Sequence, residues 1–180
     1  MRKPPFPPEF EEDVERRRLE ALLRIQRQPI SSLIWGPSPD VGTPTAQARI
    51  LLRDTLLHNG HLARFSEELL DPSSPLSILV QQVAQAEAYD IVFSIPDSPG
   101  SIAEIHDFAR IPGLSHKVVA FLNSDWNDGY ANQSLLQMQS TATCQVQLYQ
   151  ASALPQCIID TALGLVGRLQ EFYYLAGRRF

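Results

Sequence analysis

The sequence predicts an α/β domain built on a doubly wound, five-stranded parallel sheet, with one added helix before it. Three observations predict this. Short apolar runs alternate with longer helical stretches from Ile30 onward. Five such runs can be counted. The connections richest in Gly, Pro and Ser follow the first and third of them, where an open parallel sheet binds ligands.

The strand candidates are "ISSLIW" (30–35), "HLARFS" (61–66), "YDIVFSI" (89–95), "HKVVAFL" (116–122) and "CQVQLY" (144–149). Helices are expected near Gln47 to Asn59, Leu76 to Ala88, Ile102 to Arg110 and Gly129 to Gln139, with another from about Pro155 to Ala176. The simplest arrangement of these elements is flavodoxin-like (Rossmann-like), with strand order 2-1-3-4-5. Its ligand crevice lies beyond the carboxyl ends of strands 1 and 3. The loops there are "WGPSPDVGTPT" and "PDSPGS", and "EELLDPSSP" after strand 2 reaches the same end.

Residues 1–28 form a Pro-rich arm and a charged helix, and residues 29–180 the α/β domain. In "EFEEDVERRRLEALLRIQRQ", Leu19, Leu22 and Leu23 share a stripe, while Glu12/Arg16, Asp13/Arg17 and Glu20/Arg24 are spaced for i,i+4 ion pairs. The helix at 155–176 is apolar around much of its circumference, through Ile158, Ile159, Ala162, Leu163, Leu165, Val166, Leu169, Phe172 and Tyr173. Such width fits either a self-association face or packing beneath the N-terminal helix. Either terminal helix is therefore an expected contact for a second copy or a protein partner.

Composition narrows the function classes. The 180 residues carry a net charge of −5, which argues against direct gripping of nucleic acid through many phosphates. The apolar runs are too short to span a membrane, and the N-terminus lacks the apolar core of a signal peptide. Two cysteines, Cys144 and Cys157, are too few for a disulfide framework and have no His at a zinc-like spacing. The expectation is a cytoplasmic protein with no metal site and no resident cofactor.

The motifs narrow them further. "WGPSPDVGT" lacks G-x-G-x-x-G and the Lys-Ser/Thr ending of a P-loop, and no G-x-S-x-G elbow is present. Gly36 and Gly42 either let backbone approach a ribose or phosphate or simply allow turns. The carboxylates remain. Ser101-x-x-Glu104 has the spacing of a capping box, which places Glu104 in the first turn of the helix after strand 3. Asp97 precedes it in the loop, Asp107 follows one turn later, and Asp90 opens the strand. An anionic carboxylate at a helix entrance is suited to meet an oxocarbenium-like anomeric carbon.

The stretch "YDIVFSIPDSPGSIAEIHDFA" resembles the strand-loop-helix signature of the nucleoside 2-deoxyribosyltransferase family. The similarity in layout runs over roughly residues 30–122; the motif itself is Pro96 to Glu104. The resemblance implies that Glu104 is the nucleophile attacking the anomeric carbon and that Asp97 orients the sugar. Gly100 and Ser101 match the family's Gly-Ser/Thr pair. The loop holds one more residue between Asp97 and Glu104 than that pattern, and includes Pro99. TIR-like domains that cleave NAD share the layout, and related folds serve as antiphage effectors.

The expected substrate is thus a nucleoside, a nucleotide or NAD, cleaved or transferred at its N-ribosidic bond. The binding candidates are Trp35, Gly36, Pro37 and Ser38 after strand 1, Ser66 and Glu67 after strand 2, and Gly100, Ser101 and Asp107 around the catalytic pair Glu104 and Asp97. A nucleotide-sensing or protein-interaction module of the same fold is the alternative. Asp125, Trp126 and Tyr130 in "NSDWNDGY" form a polar loop at the same end of the sheet.

Overall fold

A computed structural model describes residues 7–126, 133, 134, 136, 137 and 144–177. Five strands, β1 (Ser31–Trp35), β2 (Leu62–Phe65), β3 (Ile91–Ser94), β4 (Val118–Asn123) and β5 (Gln145–Tyr149), form one sheet in the order β2-β1-β3-β4-β5. Every adjacent pair is parallel. The doubly wound architecture expected from the sequence is the one observed.

Parallel strands covered on both faces read as nearly continuous apolar runs, and β3 and β4 are buried at every position. Alternate residues then serve opposite layers. Ile34, Phe65, Phe93, Val119, Phe121 and Tyr149 pack with α2 (Pro44–His58) and α5 (Gln156–Leu175). Leu33, Trp35, Val92, Val118, Ala120 and Leu122 pack on the other face with α3 (Ile78–Ala88) and α4 (Pro99–Ala109). The helix expected at 129–139 lies largely outside the described residues; Gln133, Ser134, Leu136 and Gln137 are helical.

Helix α1 (Pro8–Gln26) forms where the charge spacing predicts it. Its ion pairs differ in part: Arg17 reaches Asp13 at 2.7 Å as expected, but Arg16 turns to Asp13 and to Glu20 (3.0 Å) rather than to Glu12. One carboxylate between two guanidiniums holds the Asp13 carboxyl below its usual range. The helix contacts α5, and the buried Gln170 of α5 donates to the carbonyl of Gln28 at 2.7 Å and, at 3.4 Å, to that of Gln26. Part of α5's apolar width is thereby explained. Phe172 and Leu175 remain 61% and 82% exposed.

At the amino ends of the strands a polar knot fixes α5 to the sheet. Tyr173 donates its hydroxyl to Asp90 Oδ1 at 2.8 Å, and Asp90 Oδ2 accepts from the Ser31 amide (2.9 Å) and hydroxyl (2.7 Å). Asp90 is thus engaged at the end of the sheet opposite the crevice. Among the described residues no helix is long and apolar enough to cross a membrane.

Candidate functional site

The topology reverses direction between β1 and β3, so the chains leaving them diverge and open a crevice. The two exits touch. The Ile95 amide donates to the Trp35 carbonyl at 3.0 Å. A Cβ on Gly36, whose φ is +153°, would stand 2.9 Å from the Ile95 carbonyl oxygen and 3.2 Å from Arg49 Cδ. Glycine is required here by both backbone angle and space.

On the β1 side, Ser38 caps a short 3-10 turn (Pro39–Val41) by accepting weakly from the Asp40 amide at 3.4 Å. Gly42 ends the turn in the left-handed region at φ 68°, and Thr43 caps α2 by accepting from the Ala46 amide at 3.2 Å. This rim is stiffened from within by Arg49, which is 1% exposed. Its Nη2 donates to the Ile34 carbonyl (2.7 Å) and to Glu67 Oε2 (2.6 Å), and its Nη1 to the Pro37 carbonyl (2.9 Å) and Glu67 Oε1 (2.7 Å). The guanidinium carbons of Arg49 and Arg53 lie 4.2 and 4.4 Å from the centroid of the Phe65 ring.

The β2 exit supplies Ser66, buried, and Glu67, whose side chain is 44% exposed. One guanidinium therefore joins the ends of β1 and β2 while leaving a carboxylate at the surface. Arg49 shares the apolar stripe of α2 with Leu52 and Leu56, at i, i+3 and i+7. An arginine on such a stripe is the sequence signal for a buried cation in need of partners, and the structure pairs it with Glu67, expected from the sequence as a binding residue.

On the β3 side, Ile95 and Pro96 are buried and Asp97 is half-buried. Here the expected cap is corrected. Helix α4 begins at Pro99, three residues before the predicted start, with Ser98 as N-cap. Ser98 Oγ accepts from the Ser101 amide at 3.2 Å, and the Ser98 amide donates to Ser101 Oγ at 3.1 Å. Serine at both ends of the box takes the place of Ser101 and Glu104. Pro99 decides between them, because its fixed φ and missing N–H suit the first helical position.

Glu104 consequently stands in the second turn of α4, exposed, and Asp107 one turn further, also exposed. Gly100 and Ser101 belong to the first turn, where the Ser101 hydroxyl is engaged in the cap. Trp35 is 8% exposed, its ring centroid 4.3 Å from that of Phe108. The indole is thus committed to the core beneath the crevice. Asp125 is exposed in the turn after β4; Tyr130 lies outside the described residues.

Loops from β1, β2 and β3 thus meet at one end of the sheet, bringing Gly36, Pro37, Ser38, Ser66, Glu67 and Asp97 to the rim. Glu104 and Asp107 are carried along α4 away from its cap. Among the described residues no group of three or more His, Cys, Asp or Glu is arranged to hold a metal ion. No family model and no curated protein matches the chain.

Proposed function

We propose that the chain is an N-glycosidase-type enzyme that cleaves or transfers the N-ribosidic bond of a nucleoside, a nucleotide or NAD. The observation that carries this reading is the rim itself: a glycine-dependent contact between the β1 and β3 exits, with Asp97 two residues beyond it. In this reading the Glu104 carboxylate meets C1 of the ribosyl group, either bonding to it as the base departs with the electron pair of the broken C–N bond or stabilising the positive charge that develops there. Water or a second base then takes the sugar, and Asp97 orients it. Because Ser98 and Ser101 complete the cap, Glu104 is released from the structural role that the sequence suggested for it. A cytoplasmic setting, contacts with a second copy or a partner through α1 or α5, and a part in antiphage defence complete the proposal.

A second reading, a nucleotide-binding module without turnover, is favoured by one specific observation. Glu104 sits in the second turn of α4, beyond the first turn where the helix macrodipole most favours an anion. Incubation with NAD and the common nucleosides, followed by chromatography for free base, separates the two. Release by the wild type and its loss in Glu104→Gln support the enzyme. Undiminished release by the Gln variant sinks the role of Glu104, and binding without release selects the module.

A further inference from the structure

We infer that a groove beside α5, at the end of the sheet opposite the crevice, binds a small aromatic carboxylic acid. The inference is independent of the reading of the crevice. It starts from how α5 lies on the sheet. Gln145 and Gln147 share the face of β5 that carries the buried Tyr149, yet Gln145 is exposed and Gln147 only half-buried, so α5 leaves this corner uncovered. A groove of about 550 Å³ opens there, the volume of a small-molecule site.

One wall is a single face of α5, formed at i, i+3, i+4 and i+7 by Leu165, Arg168, Leu169 and Phe172. Arg168 is the anomaly on it. It interrupts an apolar stripe, and among the described residues it has neither an ion pair nor a hydrogen bond. Phe172 lines the groove while 61% exposed, so its ring is available to a planar body. The floor adds the side-chain amides of Gln145 and Gln147, which make no hydrogen bond among the described residues and suit a ring hydroxyl or ring N–H.

Charge decides the rest. On the rim, Lys117 Nζ donates to the Glu87 and Tyr89 carbonyls at 2.7 and 2.8 Å, which fixes the ammonium without neutralising it and leaves its third hydrogen. Among the described lining residues Asp90 is the one acid, and its oxygens accept from Tyr173 and Ser31. With histidine counted as neutral, two cations against one carboxylate leave one positive charge. A carboxylate balances it, whereas a phosphate dianion would overshoot. The planar guanidinium of Arg168 matches a carboxylate in shape as well.

The test is equilibrium titration of the whole chain with benzoate, 4-hydroxybenzoate and indole-3-acetate, each against its neutral primary amide, with phenyl phosphate as the dianion. At least one acid is expected to saturate the chain below about 10 mM, and its amide to bind about 10-fold more weakly or worse. Arg168→Gln should abolish that discrimination, and Phe172→Ala should weaken the acid severalfold. Both side chains are exposed, so both variants should keep the wild-type melting temperature, which is measured alongside. No saturation by any acid, an amide that binds as well as its acid, tighter binding of phenyl phosphate, or undiminished binding by Arg168→Gln each overturns the inference. So does a groove filled by a second copy, seen as a sedimenting dimer that takes up no acid and that Phe172→Ala dissociates.

Discussion

Arg49 and Glu67 form a two-pronged ion pair, at 2.7 and 2.6 Å, that joins a sealed guanidinium on α2 to a solvent-facing carboxylate just beyond β2. The arginine also satisfies two carbonyls of the β1 exit. Arg49→Met is expected to lower stability by about 2–4 kcal/mol, because it removes the donors to the buried Ile34 carbonyl, the part-buried Pro37 carbonyl and the Glu67 carboxylate. Arg49→Lys should recover only part of this, since an ammonium cannot reproduce the fork. Urea denaturation of both variants measures the difference.

Gly36→Ala places a methyl group 2.9 Å from the Ile95 carbonyl at a backbone angle that L-residues rarely adopt. A loss of about 2–3 kcal/mol is expected. Gly42→Ala meets open space at φ 68° and should cost about 1 kcal/mol. The urea midpoints of the two variants should therefore be clearly ordered; equal midpoints would contradict the contact between the β1 and β3 exits.

Ser98→Ala removes the acceptor at the start of α4 and should cost about 1 kcal/mol. Glu104→Gln, on the exposed side of the second turn, should shift stability by less than about 0.5 kcal/mol. Thermal melts of this pair distinguish the observed cap from the Ser101 and Glu104 box that the spacing suggests.

His61 is buried, and its Nδ1 accepts from the Ile30 amide at 3.3 Å. Burial holds its pKa below the ordinary 6.5. The unfolded chain therefore binds the proton first. The contribution of His61 is complete above about pH 6.5 and is lost as pH falls from there through the lowered folded value. Stability measured between pH 7.5 and 5 should decline less steeply in His61→Asn, whose carbonyl can accept the same amide without titrating.

Cys144 is 2% exposed, and burial pushes its thiol up to about 11. At pH 8 it should resist iodoacetamide in the folded chain and react once urea unfolds it. Cys157, only half-buried, should label first. Mass spectrometry of the labelled peptides reads the order directly.

The sheet was legible because parallel strands covered on both faces leave apolar runs that turn-forming residues interrupt, as "VVAFL" and "IVF" do. Their order followed from the simplest winding of five such units. The start of α4 was misplaced because two serines compete there, and Ser101-x-x-Glu104 matches a box in sequence while Pro99 fixes a different one in space. Arg49 on its apolar stripe was a visible signal, but its pairing with Glu67 was not legible. It depends on the rotation of α2 and on a register that sets Ile34 opposite Phe65, neither of which an 18-residue separation reveals. Among the proposed site residues, the loop positions were placed by topology, whereas the position of Glu104 along α4 hinged on that one capping choice.

Helix α5 holds down the face that carries Ile34, Phe93 and Phe121, and receives the end of α1 through Gln170. During synthesis every strand emerges before it does. Until α5 emerges, α2 alone shelters that face, and the end of α1 lacks the glutamine that donates to the Gln26 and Gln28 carbonyls. A nascent chain of this protein therefore passes through an interval with a finished set of strands and half a bare apolar surface. That interval, rather than any weakness of the mature fold, is when a chaperone would have something to hold.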